Sequence, residues 1–217
     1  MIENFAFNYD SVVQQEIKKI IKTFSIKTVV ETGTYVGNSA AFFSKCDCDV
    51  HTIEINTEFY NSAIQNLKTY ENIKCHLGNS IDVLPAILES LKKDLTLFYL
   101  DAHWEDNWPL LEEIKMIGNL FKNNCIIIID DFVVPNRKLQ YDIYKNIKND
   151  INFISSILNE AFTDYIYYYN DKCNHRGSLY MNDCYGVGKI YIFPKNILEN
   201  KKNNFFVNID GENYSIL

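Results

Sequence analysis

Positive charge is scarce and scattered in this sequence. Its 217 residues carry 21 Lys and Arg against 28 Asp and Glu, a formal net charge of −7 at pH 7, and no cluster of Lys and Arg could neutralise a run of phosphates. No nucleic acid partner is therefore expected. No apolar run approaches the roughly 20 residues of a membrane span, and the N-terminus lacks the apolar core of a signal peptide. The reading is a soluble cytoplasmic protein with no membrane span. The six cysteines (Cys46, Cys48, Cys75, Cys125, Cys173, Cys184) are scattered, three of them within or beside predicted strands. That suits buried thiols in a reducing compartment and implies no disulfide framework. Cys173, His175 and Cys184 have a C-x-H…C spacing that lacks a fourth ligand and matches no common zinc module. Only four prolines occur, and no proline-rich linker, internal repeat or low-complexity tract divides the chain. One domain is the default, and 47% hydrophobic residues suffice for a substantial core.

Apolar periodicity gives the element order. Residues 11–24 carry Val12, Val13, Ile17, Ile20, Ile21 and Phe24 at helical spacing, with Ser11 and Gln14 resembling a capping box. Strand-like segments recur at 28–32, 50–54, 73–77, 95–100 and 125–129, separated by helix-like segments at 39–44, 58–69, 80–91 and 110–121. Strands alternating with helical stretches predict an α/β fold with a mostly parallel sheet. The continuous run Cys125-Ile126-Ile127-Ile128-Ile129 belongs at a sheet centre covered by helices on both faces. A further helix is predicted over 139–158, and the segments 164–170 and 186–193 are placed to pair antiparallel. The tail 200–217 is polar and then partly apolar, compatible with a short docked strand or a mobile end.

The segment Thr28-Val29-Val30-Glu31-Thr32-Gly33-Thr34-Tyr35-Val36-Gly37-Asn38-Ser39 joins an apolar strand to a glycine-punctuated turn and a helix start. Gly33 and Gly37 let the backbone turn sharply and approach a ligand, and Asn38 or Ser39 is placed to cap the helix. The spacing is E-x-G-x-x-x-G, where a dinucleotide-binding loop has G-x-G-x-x-G. A carboxylate in place of the first glycine repels a pyrophosphate but attracts a cationic amino-acid moiety. Glu54 closes the second strand roughly 20 residues beyond the turn, where an acid commonly accepts hydrogen bonds from ribose hydroxyls. Gly78-Asn79-Ser80 follows the third strand, where Asn79 and Ser80 are placed to bond an adenine edge while Ser80 caps the next helix.

The fourth and fifth strands end in acids as well, in Leu100-Asp101-Ala102-His103-Trp104 and Ile129-Asp130-Asp131-Phe132. Asp101, Asp130 and Asp131 converging in one cleft would repel one another, and a hard divalent cation bound by oxygen is the ordinary remedy, Mg2+ suiting best. Asp130 and Asp131 serve one ion only if the chain turns at Asp131, since consecutive strand residues face opposite ways. The bland readings are that Asp101 orients a cofactor and that Asp130 or Asp131 caps a following helix. His103, two residues past Asp101, competes with it for the role of general base. His51 and His76, inside strands, read as structural. Trp104 and Trp108 suit stacking on a sugar ring or packing under the next helix; packing is favoured for Trp108, and Trp104 stays open between the two. His175 and Arg176, in the polar loop 170–178, are candidates to reach over a substrate.

On the motif Glu31-Thr32-Gly33-Thr34-Tyr35-Val36-Gly37, with Glu54 behind it, the chain resembles the class I S-adenosylmethionine-dependent methyltransferases over residues 25–195. The resemblance implies a Rossmann-like class I methyltransferase sheet, mostly parallel with a terminal antiparallel strand. Residues 1–24 then form an N-terminal helical extension and 196–217 a C-terminal tail. It implies S-adenosylmethionine as cofactor, held by Glu31, Thr32, Gly33, Thr34, Tyr35, Gly37, Asn38, Ser39, Glu54, Asn79, Ser80 and Asp101. Asp101, Asp130 and Asp131 match the ion-binding acids of the metal-dependent O-methyltransferases of sugars and natural products. That implies Mg2+, catalytic Asp101 and His103, and a small-molecule or glycan acceptor met by Trp104, His175 and Arg176. The Asp-Pro-Pro-aromatic motif of base N-methyltransferases is absent after Leu100. Three alternatives stand beside this reading: a metal-independent methyltransferase with His103 as base, a nicotinamide-dependent oxidoreductase, and a non-catalytic S-adenosylmethionine-binding protein. A homo-oligomer is left open.

Overall fold

Two kinds of apolar patterning sort the chain into sheet and helices. The computed structural model describes residues 2–91, 94–103, 108–170, 186–199, 206–209 and 212–215. Residues Ile2–Tyr9 make 3-10 turns broken at Ala6–Asn8 and lead into α1 (Ser11–Phe24). Helix α1 starts at Asp10, whose Oδ1 accepts from the backbone N–H groups of Val12 (2.9 Å) and Val13 (3.1 Å). Asp10, rather than the expected Ser11 and Gln14 pair, is the cap because Asp10 holds the extended backbone of an N-cap while Ser11 is already the first helical residue. Gln14 instead donates through Nε2 to the carbonyl oxygens of Asn4 and Ala6. The helix stops at Ser25, which takes a left-handed conformation (φ 53°).

Four βα units and a fifth strand follow: β1 (Thr28–Thr32), α2 (Asn38–Lys45), β2 (Asp49–Glu54), α3 (Thr57–Leu67), β3 (Ile73–Leu77), α4 (Ser80–Ser90), β4 (Thr96–Leu100), α5 (Leu110–Phe121) and β5 (Cys125–Ile129). Between β5 and the next helix the structure departs from expectation. Residues 139–150 form an irregular stretch with a two-residue hairpin, β6 (Ile143–Tyr144) and β7 (Ile147–Lys148), and only α6 (Ile151–Ala161) is helical. The hairpin turn is Lys145-Asn146, both at positive φ (48° and 68°), which matches the twist of a two-residue hairpin. Asp150 then caps α6 by accepting from the Phe153 N–H at 3.0 Å. Apolar spacing alone did not reveal a turn made by Asn and Lys.

The strands β8 (Tyr165–Tyr169) and β9 (Ile190–Pro194) pair antiparallel as expected, and β9 also pairs antiparallel with β5. The seven-stranded order is β3-β2-β1-β4-β5-β9-β8, with β9 the strand that runs against the others. A short helix α7 (Lys195–Glu199) follows, then the hairpin of β10 (Phe206–Ile209) and β11 (Glu212–Ser215) in the tail.

Both sheet faces are covered, which explains the unbroken apolar strands. On one face Val29, Leu97 and Ile128 pack with Ile17 and Ile20 of α1, Phe43 of α2, Leu67 of α3 and Phe7 of the N-terminal turns. On the other, Val30, Phe98 and Ile127 pack with Leu84 of α4, Ile114 and Phe121 of α5 and Leu158 of α6. Trp108 belongs to this second core, stacked on Phe153 at 4.4 Å between ring centroids, as its packing role anticipated. The carboxyl ends of β1 to β5 share one edge, and the functional residues gather there. Cys46, Cys48, Cys75 and Cys125 are free thiols; Cys173 and Cys184, with His175, lie outside the described residues. No described helix is long and apolar enough to cross a membrane.

Candidate active site at the carboxyl edge of the sheet

A cavity of about 490 Å3 opens at this edge. One wall is the glycine turn. Gly33 has φ 86°, and a Cβ there would sit 2.3 Å from the Asp101 carbonyl oxygen; Gly37 has φ 91°, and a Cβ would meet Leu67 at 2.8 Å. No side chain fits either position, so the two glycines are required. The Gly33 and Thr34 N–H groups donate to the Ile53 carbonyl (3.0 and 3.2 Å), tying the turn to β2. Helix α2 opens at Gly37 with no side-chain cap, so the expected capping by Asn38 or Ser39 does not occur. Both instead line the cavity beside Thr34 and Tyr35, and the first turn of α2 has no side-chain cap.

The two acids of this half are placed differently. Glu54 lines the cavity while accepting from the backbone N–H groups of Tyr35 (2.7 Å) and Asn56 (2.8 Å), so it holds the glycine turn as well as facing a ligand. Glu31 is fully buried behind the wall. Its Oε2 accepts from the Thr52 hydroxyl at 2.6 Å, and its Oε1 has no hydrogen-bond partner among the described residues. Burial raises its pKa to about 7, the hydroxyls of Ser39 and Thr52 opposing that rise and the charge of Glu54 adding to it. Thr32, also fully buried, does not line the cavity. Asn79, and not Ser80, caps α4, its Oδ1 accepting from the Ile81 N–H at 3.2 Å; Ser80 lines the cavity. Behind Ser80 lies Glu113 of α5, fully buried, with its pKa raised to about 7 by burial and opposed by the Ser80 and Thr32 hydroxyls. The sequence reading missed Glu113. Its signal was an acid on the apolar stripe formed by Leu110, Ile114, Ile117 and Phe121.

At the other end of the cavity the strand-end acids meet. A carboxylate oxygen of Asp101, one of Asp131 and a ring nitrogen of His103 lie within 4.8 Å of one another. The chain does turn at Asp131 (φ 50°), and the Asn149 side-chain amide holds the turn by donating to the carbonyls of Asp130 (3.0 Å) and Asp131 (3.1 Å). No helix follows directly, so neither acid is a cap. Asp130 lines the cavity but its carboxylate has other partners. It accepts from the Tyr99 hydroxyl and from the ammonium of Lys189, a lysine only 1% exposed, and from the Asp131 N–H at 2.9 Å. His103 Nε2 stands 3.3 Å from Asp142 and 4.0 Å from Asp131. Burial, then the charges of Asp130 and Asp131, push the Asp101 carboxyl well above the usual range against the pull of Lys189; Asp131 is raised to about 7 by burial and by Asp130 and Asp142. Such mutual repulsion is what a bound cation relieves, and two carboxylates with an imidazole are a chemically competent donor set.

Phe5, Phe7 and Asn8 of the N-terminal turns also line the cavity. The sequence reading had assigned this segment no part in the site. Trp104, His175 and Arg176 lie outside the described residues. His51 and His76 stack on each other, with Nδ1 of His51 3.1 Å from Nε2 of His76, away from the cavity.

No protein-family model matches the chain, and no curated protein matches its sequence. Solved structures do resemble it. An O-methyltransferase of tomaymycin synthesis, TomG from Streptomyces achromogenes, in complex with S-adenosylmethionine, superposes with a TM-score of 0.62 at 15% identity, over 85% of this chain and 80% of that one. The fold is that of the class I S-adenosylmethionine-dependent methyltransferases. An O-methyltransferase from Bacillus cereus, bound to S-adenosylhomocysteine, gives a TM-score of 0.61 at 14% identity over 87% and 83% of the two chains. A Podospora anserina methyltransferase bound to S-adenosylhomocysteine gives 0.53 at 14% identity over 84% and 78%. In this methyltransferase fold, ligands sit outside the carboxyl ends of the strands, where the cavity lies.

Proposed function

We propose that this chain is an S-adenosylmethionine-dependent O-methyltransferase that acts, with a divalent cation, on a hydroxyl of a small polyhydroxylated acceptor such as a sugar or glycan precursor. The observation that carries the reading is the single cavity joining the glycine turn to the cluster of Asp101, His103 and Asp131. Three features of the first half suit the cofactor. Gly33 lets the turn press against the Asp101 backbone at the cavity wall, the first turn of α2 has no side-chain cap, and Glu31, buried behind that wall, keeps an oxygen without a partner among the described residues. Glu54, Ile55 and Ser80 then line the nucleoside side. In the second half, the presence of Phe5 and Phe7 beside carboxylates in the lining suits an acceptor with both apolar and hydroxyl-bearing faces.

Bound S-adenosylmethionine supplies a methyl group on a sulfonium, whose S–C electron pair stays with sulfur as the acceptor oxygen forms the new C–O bond. Asp101 and Asp131 are the residues that would hold a divalent cation, whose positive charge would stabilise the oxygen as it loses its proton. Asp101 or His103, both on the cavity wall, takes that proton. The Gly33 contact with the Asp101 backbone couples the two halves, so donor and acceptor are aligned by one rigid edge. Titration calorimetry with S-adenosylmethionine, S-adenosylhomocysteine and NAD+ tests the first half, with binding expected for the first two alone. Methyl transfer to a panel of monosaccharides, glycosides and phenols, followed by mass spectrometry with and without EDTA, tests the second. Turnover that survives EDTA would leave the metal-independent reading with His103 as base; failure to bind S-adenosylmethionine at millimolar concentration would sink the whole assignment.

A further inference from the structure

Resting on the cation-assisted reading, we propose that the ion is held by Asp101, His103 and Asp131, with Asp130 outside the ligand set, so that the site takes Mn2+ or a similar first-row divalent ion in preference to Mg2+. Asp130 is withdrawn by its surroundings. One oxygen carries the buried Lys189 ammonium and the Asp131 N–H, and the other the Tyr99 hydroxyl. Turning Asp130 toward an ion would break its buried ion pair with Lys189, which is strongly unfavourable. Lys189 is itself held in place, its backbone N–H donating to Asn170 Oδ1 at 2.6 Å.

The three remaining donors are arranged for one ion. Two ligands on opposite sides of an ion at about 2.1 Å are roughly 4.2 Å apart, so atoms all within 4.8 Å of one another can converge on it after small side-chain adjustments. Asp101 has no side-chain hydrogen-bond donor among the described residues, which leaves its oxygens for a ligand. Asp131 is aimed by its left-handed backbone and by Asn149. His103 reaches the cluster from the loop after β4, its Nε2 4.0 Å from Asp131 and 3.3 Å from Asp142. Mg2+ favours oxygen throughout, whereas an imidazole suits first-row ions such as Fe2+ and Zn2+; Mn2+ is the member of that row whose preference for carboxylate matches the other two donors.

The experiment is Mn2+ titration of the full chain followed by pulsed electron paramagnetic resonance. The expected result is modulation from a directly bound 14N nucleus, lost in both His103→Gln and His103→Asn together with a tenfold or greater loss of Mn2+ affinity, and tighter binding of Mn2+ than of Mg2+ in competition. His103 is half exposed, and thermal melts establish that the variants fold. Mn2+ bound without nitrogen modulation, or variants that lose turnover while keeping full Mn2+ affinity, would overturn the ligand assignment and leave the cation reading standing, with His103 as base. No Mn2+ or Mg2+ binding to the folded wild-type chain would overturn both.

Discussion

Glu113 and Glu31 are the residues at which burial and charge are most at odds. Each carboxyl has its pKa raised from 4.5 to about 7, chiefly by burial. The folded state therefore binds more protons than the unfolded state between those values. Stability from this source is fully present below pH 4.5 and is lost as pH rises through 7. A shift of this size corresponds to on the order of 3 kcal/mol per fully buried group. Glu113→Gln should therefore match the wild type in urea melts near pH 5 and exceed its stability at pH 8; equal stability at pH 8 would show that Glu113 is not strained by ionisation. At Glu31 the same shift acts on binding. A cationic ligand favours the charged carboxylate, so S-adenosylmethionine affinity should rise between pH 6 and 8. In Glu31→Gln it should be weaker and flat over that range, read by calorimetry. The groups around Glu31 are Glu54, the Ser39 and Thr52 hydroxyls and the Cys75 thiol, the last raised to about 11 by burial and by Glu31. Glu31 and Glu54 were legible because each closes a strand at a telling distance from the glycines. Glu113, Asn149 and Lys189 were not, because their roles depend on partners up to 81 residues away, Glu113 having its hydroxyl neighbour at Thr32.

Among the elements, the N-terminal turns show how tertiary packing overrides local preference. Phe7, Asn8 and Tyr9 all adopt left-handed backbone (φ 55°, 56° and 63°), which disfavours L residues by roughly 1 kcal/mol each. Aromatic packing holds them there. The Phe7 ring lies 5.0 Å from that of Phe42, 5.9 Å from Phe43 and 5.3 Å from Tyr99. Glu3, accepting from the Tyr70 hydroxyl at 2.9 Å, anchors the other end of the segment. Phe7→Ala should destabilise the fold by about 3 kcal/mol or more in denaturant melts, and should raise hydrogen exchange across residues 2–9 ahead of the sheet. Unchanged exchange there would mean that Phe7 is not the anchor. The helix predicted over 139–158 is the opposite case. Its apolar spacing is genuine, but Lys145-Asn146 favours a turn and Asp150 favours a cap, so the first half folds back as a hairpin.

For the whole molecule, the cavity is bounded by parts drawn from residues 5 to 131, so ligand binding should stabilise the entire fold and not one element. S-adenosylhomocysteine at 100 times its dissociation constant should add about 2.7 kcal/mol to unfolding stability. The check is a concentration-dependent rise in melting temperature with S-adenosylhomocysteine and none with NAD+; a rise with NAD+ alone would favour the oxidoreductase reading. The sequence by itself determined the alternation of strands and helices, the glycine turn and the acids that close the strands, because periodicity, φ preference and strand ends are local properties. Only the tertiary structure decided which of those acids share a space. Lys189, distant in the chain, claims Asp130, and the N-terminal aromatics line the cavity. Such contacts are set by how helices and strands pack in three dimensions, which no spacing along the chain encodes.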